Sequence, residues 1–379
     1  MEPLEAYGQD KVREFIQKSA SSGMLGNSIL FEGPFGVGKE RMAFWLAQLI
    51  LCDSRSGCGQ CPPCRKVERL THPDLLWMIP SPGGETVSLG EEDETKRRQS
   101  EREKFLQSAV EGKRCEPFFI PRSNRPLGHS AESLRQLLLW CAKKPFEADR
   151  KVVIIRDADS MAPGIANLFL KLLEEPPLDT VLILTSTAPH RLLATVLSRC
   201  VSYRFPLVDD RHIEAALTEF RGVRGKRASL LAGLAQGSLL RALELADEDV
   251  TIRQDALKLF GIASVGRIKD CYEVVNTAIT NRYGRDRGEI LDRKIFFMIL
   301  VLRDFLILSE GGDVDLILNT DLLDRMRKLE GKWNVKRVGE LIMELERTRR
   351  DLRHNVNIDL ALWKTIDSVR LALHQGHPL

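Results

Sequence analysis

No stretch of this 379-residue sequence is apolar for long enough to cross a bilayer. The longest apolar run, Ile295 to Leu302, ends at Arg303, and a helical span needs about 20 such residues. The N-terminus, Met1-Glu2-Pro3-Leu4-Glu5, is acidic and lacks the apolar centre of a signal peptide. These absences predict a cytoplasmic protein with no membrane partner. A dominant charge is missing too: 56 Lys+Arg stand against 53 Asp+Glu, a net charge of +3. Such a balance argues against a protein that coats nucleic acid electrostatically, though not against a local basic face. The sequence also has no internal repeat.

What the chain does have is cysteine in one place. Of eight cysteines, four fall within residues 52–64, and the rest (Cys115, Cys141, Cys200, Cys271) are scattered. In a reducing compartment a tight cluster points to metal binding rather than to disulfides. The spacing Cys52-x5-Cys58-x2-Cys61-x2-Cys64, with Gly57, Gly59, Pro62 and Pro63 supplying turns, suits four thiolates around one tetrahedral zinc ion. An iron–sulfur cluster is the rival, since it also takes four thiolates. Four ligands leave no open coordination position, so the expected role of the zinc is structural.

Strand and helix signals alternate through the first half. Ser28-Ile29-Leu30-Phe31-Glu32 reads as a short strand, and Arg41 to Leu51 as a helix. Val152-Val153-Ile154-Ile155 and Val181-Leu182-Ile183-Leu184 are continuous apolar runs of strand length, as in a parallel sheet buried on both faces. Ser130 is a candidate N-cap for a helix with Leu134, Leu137, Leu138 and Cys141 on one face, and Pro176-Pro177 stops another helix after Glu174-Glu175. The alternation predicts a three-layer α/β domain. A densely charged segment, residues 80–114, interrupts it and reads as an exposed insertion, partly helical or disordered. After Pro206 only helical patterns remain. The expected division is an α/β domain over 1–206, a small helical domain over 207–266 and a longer-helix domain over 267–379.

Between the first strand and its helix, Gly33-Pro34-Phe35-Gly36-Val37-Gly38-Lys39 fits the phosphate-loop pattern G-x-x-x-x-G-K. Gly33, Gly36 and Gly38 would let backbone N–H groups close around phosphates, with Lys39 reaching the terminal ones. The next residue should carry a hydroxyl for magnesium, yet it is Glu40. After the apolar run Val152–Ile155, where a magnesium-holding Asp and then a water-activating Glu belong, stand Arg156 and Asp157. Two magnesium-associated positions have changed together. That predicts a site that does not hydrolyse ATP, either a relic loop that packs or one that binds nucleotide without turnover.

The string Asn167-Leu168-Phe169-Leu170-Lys171-Leu172-Leu173-Glu174-Glu175-Pro176-Pro177, the later Leu197-Ser198-Arg199-Cys200 and the cysteine module after the phosphate-loop helix resemble the clamp-loader subunits of bacterial DNA polymerase III, an AAA+ family. Gly8-Gln9-Asp10 matches as well, and Leu302-Arg303-Asp304-Phe305-Leu306 and Asn355-Val356-Asn357-Ile358-Asp359-Leu360-Ala361-Leu362 look like its collar signatures. The first cysteine spacing is shorter here than in that family. The altered phosphate loop is similar to the delta-prime type, whose own ATP site is silent. The Gly-Ser-x-Arg of the motor subunits is here Gly237-Ser238-Leu239-Leu240, with Arg241 one residue late, about 100° around a helix.

The resemblance implies an AAA+ phosphate-loop domain, a helical lid and an all-α collar. It implies a hetero-pentamer with motor and delta-type subunits that places a sliding clamp on primed DNA. It also implies that Arg199 acts in trans, as an arginine finger in a neighbour's ATP site. Without the resemblance, Arg199 is an ordinary surface arginine. The chain alone is then expected not to be catalytic, although it serves a DNA-directed DNA polymerase holoenzyme. Two other readings remain: an ATPase-competent motor subunit of the gamma/tau kind, and a zinc-dependent nucleic-acid-binding module on the same scaffold.

Overall fold

Val152–Ile155 and Val181–Leu184 contain no polar residue, and all eight side chains are fully buried. A strand buried on both faces needs a helix layer on each side, and the chain supplies both. The computed structural model describes residues 7–82, 92–121, 123, 127–177, 179–247, 254–258, 260–261, 287–328, 333–352 and 357–373. It divides into two compact units, Met1–Phe220 with Ala235–Leu243, and Arg221–Leu234 with Glu244–Leu379. The expected boundary at 266/267, residues 83–91 of the insertion, Cys271, Asn355 and Val356 lie outside the described residues.

The first unit runs α1 (Asp10–Ser21), β1 (Ser28–Glu32), α2 (Lys39–Leu51), α3 (Pro62–Glu68), β2 (Leu75–Met78), β3 (Ser81–Pro82), α4 (Glu92–Cys115), β4 (Leu127–Gly128), α5 (Ala131–Cys141), β5 (Lys151–Ile155), α6 (Pro163–Glu174), β6 (Thr180–Ser186), α7 (Ala194–Leu197), β7 (Val201–Arg204) and α8 (Asp210–Arg221). Five strands form one parallel sheet in the order β2-β5-β6-β1-β7. Leu30, Val153, Ile155, Leu182 and Leu184 pack on one face with Leu134 and Leu137 of α5 and Phe169 and Leu172 of α6. Alternate residues of the same strands point to the other face, where α2 buries Met42, Trp45 and Leu46. Each such side chain contributes about 1.5–3 kcal/mol. This is the three-layer α/β architecture, with a phosphate loop after its first strand, that the sequence predicts. The Ser130 cap is present, its Oγ accepting from the Ser133 amide at 3.1 Å. The edge strands β2 and β7 carry too short an apolar signal to be read from sequence.

Of the two forms expected for the insertion, helical or disordered, the described residues take the helical one, α4, beside the antiparallel β3–β4 pair, and the helix is less exposed than expected. Its Glu, Lys, Arg and Gln are good helix formers, so dense mixed charge does not prevent the helix. Ala109 is fully buried, Arg102 donates to Ser133 Oγ, and Arg114 Nε donates to the Arg69 carbonyl at 2.7 Å.

In the second unit the helices Arg287–Ser309, Val335–Leu352 and Ile358–Leu373 share one core, with Leu291, Ile295, Leu302, Val338, Leu341, Leu345, Leu362, Ile366 and Val369 buried together. Asp304 is fully buried and accepts from the Asn319 backbone and side-chain amides at 2.7 and 2.8 Å. Asn357 Oδ1 caps the last helix, accepting from the Asp359 and Leu360 amides.

Candidate functional site

The loop between β1 and α2 closes tightly because its glycines have no Cβ. Gly36 has φ 77°, and a Cβ there would stand 2.1 Å from Ser238 Oγ; its carbonyl accepts from the Leu240 amide at 3.1 Å. Gly33 would meet the Phe205 carbonyl at 2.4 Å. Lys39, the first residue of α2, is only 7% exposed. Its Nζ turns back and donates to the carbonyls of Gly33 at 2.7 Å and Pro34 at 2.6 Å. Burial brings its pKa down to about 8, while Asp157 and Asp159 pull the other way.

Glu40 does not point freely at this loop. Its carboxylate accepts from Lys113 Nζ at 2.6 Å and from Trp77 Nε1 at 3.0 Å, with Arg156 Nε at 4.0 Å. Burial alone would push the Glu40 carboxyl up. The Lys113 and Arg156 charges and the two hydrogen bonds outweigh it and hold the group below the usual carboxylate range. Burial lowers Lys113, against the pull of Glu40. Arg156 also pairs with Asp157 at 3.1 Å. Asp157 takes a left-handed conformation, φ 49° and ψ 54°, and burial pushes its carboxyl up against the Arg156 charge. A cavity of about 70 Å³ remains, lined among others by Phe35, Lys39, Lys113, Phe118, Arg156 and Leu240. That is room for a few waters. Leu240, and not Arg241, is among its lining residues.

Cys52 closes α2, Cys58 lies in the following loop, Cys61 caps α3 and Cys64 sits in its first turn. Gly57 and Gly59 supply the left-handed turns between them, with φ 63° and 70°. The four sulfurs all lie within 4.8 Å of one another, with Cys52 at 3.6 Å from Cys58 and 3.7 Å from Cys61. A tetrahedral ion with Zn–S near 2.3 Å sets its sulfurs about 3.8 Å apart, so the donor set fits one ion. Burial pushes the Cys52 thiol up, but hydrogen bonds from Ser54 and nearby backbone amides bring it down to about 5. A ligand thiol must give up its proton to bind a metal ion, and burial opposes this at Cys61 and Cys64.

Arg199 lies just past α7 and is not among the residues lining the phosphate-loop cavity. Its guanidinium pairs with Glu174 at 2.8 Å and donates to the Thr195 carbonyl at 3.0 Å. The structure thus gathers Gly33, Gly36, Gly38 and Lys39 in one site and the four cysteines in another, with Arg199 apart from the first. Sequence reasoning missed Lys113, Trp77 and Phe118. The one signal was Glu40 itself: a carboxylate beside a phosphate loop needs a cation, but nothing in the string says which.

A family model described as DNA polymerase III, delta subunit, matches residues 8–209, just over half of the chain. The DNA polymerase III subunit delta' of Bacillus subtilis (strain 168) is 25% identical over 355 residues, 92% of each chain. The DNA polymerase III subunit tau of the same organism is 22% identical over 376 residues, 92% of this chain and 58% of its own. The DNA polymerase III subunit delta' of Pseudomonas aeruginosa is 31% identical over 185 residues, 48% of this chain and 43% of its own.

Proposed function

The chain belongs to the DNA polymerase III delta-subunit family, and on that premise we propose that it is a delta-prime-type clamp-loader subunit with a silent ATP site. The observation that carries the proposal is the bonding of Glu40. The residue in the magnesium-hydroxyl position is buried against Lys113 and Trp77. A second magnesium position is Arg156, a cation where a metal-binding carboxylate would stand. The Glu40 oxygens are taken by Lys113 and Trp77 and Arg156 repels a cation, so neither position offers a free ligand to the divalent ion that holds terminal phosphates in line with an attacking water.

Arg199 is the residue that acts, in the site of a neighbouring motor subunit. There its guanidinium stabilises the charge that develops on the transferring phosphoryl group. Its location away from this chain's own cavity and its partial exposure support that role. The pair with Glu174 is easily given up for a phosphate, since an exposed pair contributes about 0.2–1 kcal/mol.

Cys52, Cys58, Cys61 and Cys64 hold a structural zinc ion that locks the end of α2 to α3. A cluster of several irons would separate its cysteine sulfurs more widely than one ion does, and the close spacing of these four supports the mononuclear reading. The three-part division at 206/207 and 266/267 belongs to the same proposal, as lid and collar. So do a cytoplasmic location and partnership with motor and delta-type subunits, the sliding clamp and primed DNA.

The test is ATP hydrolysis by the purified chain, then by the reconstituted loader carrying either wild-type subunit or Arg199→Ala. A silent lone chain with at least tenfold slower loader turnover for Arg199→Ala is the expected result. Turnover by the lone chain that disappears in Lys39→Ala would instead identify a motor subunit.

A further inference from the structure

The insertion ends in the phosphate-loop cleft, and what it brings there is a cation and an aromatic ring. Lys113, on the last turn of α4, has a side chain only 8% exposed. Its ammonium bonds Glu40 at 2.6 Å and lies 5.7 Å from the Phe44 ring centre. After Cys115 the chain folds back sharply: the Glu116 amide donates to the Gly112 carbonyl and the Phe119 amide to that of Glu116, both at 2.9 Å. Gly112 permits this fold, because a Cβ there would stand 2.4 Å from the Phe119 ring. Phe118 is then set under the Arg41 guanidinium, 5.0 Å from the ring centre, and edge-on to Phe220 at 4.9 Å. Lys113, Pro117, Phe118 and Ile120 line the same cavity as Gly36, Gly38 and Lys39.

We propose that the phosphate-loop cleft is a latent nucleoside-polyphosphate site kept occupied by the chain's own insertion. Lys113 takes the place of a metal ion as counter-charge to Glu40, and the Pro117–Ile120 segment fills the space beside the loop. This rests on the silent-site reading above and goes further: the site is filled as well as unable to turn over.

Three features support it. The cavity left is about 70 Å³, room for a few waters. Lys39 spends its donors on the loop's own carbonyls, which it must leave to reach a phosphate. Both acids that line the cleft have an internal cation: Glu40 has Lys113, and Asp157 has Arg156. An entering triphosphate would bring negative charge beside Glu40 and would have to compete with it for the Lys113 ammonium.

The proposal predicts a constructive result. Removing both members of the pair and restoring a hydroxyl, as in Glu40→Thr with Lys113→Ala, takes that ion pair out of the cleft and leaves the glycine cradle intact. Titration calorimetry of Mg·ATP into the full-length chain is the test. Wild-type protein is expected to give no binding at millimolar ATP, and the double variant to bind at least tenfold more tightly. Phe118→Ala, a half-buried position whose loss the fold should tolerate, serves as a second variant if the double variant misfolds. With the Glu40–Lys113 pair kept, it is expected to gain affinity as well.

Wild-type protein binding Mg·ATP as tightly as the variants overturns the self-occupied site while leaving the silent-site reading intact, provided that no turnover accompanies it. Well-folded variants that gain no affinity overturn the self-occupied site as well. Turnover by the wild-type chain overturns the silent-site reading instead, so the two failures are distinguishable.

Discussion

A single buried ion pair decides the character of the phosphate loop. Glu40 and Lys113 have side chains 17% and 8% exposed, and such a pair is not strongly stabilising in itself. Breaking it by removing one partner costs about 3–5 kcal/mol, because a charge is left buried without compensation. Lys113→Ala should therefore lower stability by that order in denaturant unfolding, and adding Glu40→Thr should recover most of the loss. Two substitutions that merely add would show that the pair is not coupled. The pH dependence has a definite sign. The folded pKa of Glu40 lies below its ordinary value, so its contribution is complete above about pH 4.3 and lost as pH falls through the folded value. Glu40→Gln should flatten the acid limb of a stability–pH curve. An unchanged limb would assign it to another carboxylate. Asp74 is one candidate: burial raises it, but three amides, from Phe146, Glu147 and Ala148, hold it low.

At the scale of elements, the loop that joins α2 to α3 has two left-handed glycines and, between Asp53 and Gln60, no large apolar side chain, so a metal ion on the four cysteines would be its main tie. Elemental analysis should find one zinc per chain in protein purified without chelator. Cys61→Ser should lose it and lower the melting temperature, and iron in place of zinc would refute the assignment. The α5 helix relies on a different device. Its C-terminal carbonyls at Trp140, Cys141 and Lys143 accept from the buried ammonium of Lys151, a cation placed where the helix dipole favours it. Lys151→Met leaves those carbonyls short of partners and should cost about 1–3 kcal/mol, read as a lower unfolding midpoint at unchanged slope. The opposite end is less demanding: Ser130→Ala should cost about 1 kcal/mol.

At the scale of the whole molecule, Arg199 stands apart from the residues that line this chain's own phosphate-loop cavity. Arg199→Ala should leave the stability of the isolated chain within about 0.5 kcal/mol, as a surface substitution does, while slowing turnover of the assembled loader. A comparable loss of stability in the lone chain would make Arg199 a local structural residue paired with Glu174. Near-neutral net charge fits a subunit that works through protein contacts, and a steep salt dependence of DNA binding by the lone chain would contradict it.

Sequence alone determined the parallel core, the phosphate loop with its missing hydroxyl, the four cysteines and the helical character after Pro206. Each of these depends on residues close together in the chain: an unbroken apolar run, a glycine spacing, a cap beside its helix. Glu40 was legible as a departure, yet its partner lies 73 residues away, in a segment whose charge reads as solvated. Local pattern sets which residues form a helix; it does not say which of its cations will be desolvated. That was decided only when α4 folded back onto the sheet edge, where the low-dielectric interior makes Lys113 and Glu40 require each other. The same holds for the cysteines. Their spacing names a metal-binding loop, but only the folded chain brings the four sulfurs to the separation that a single ion accepts.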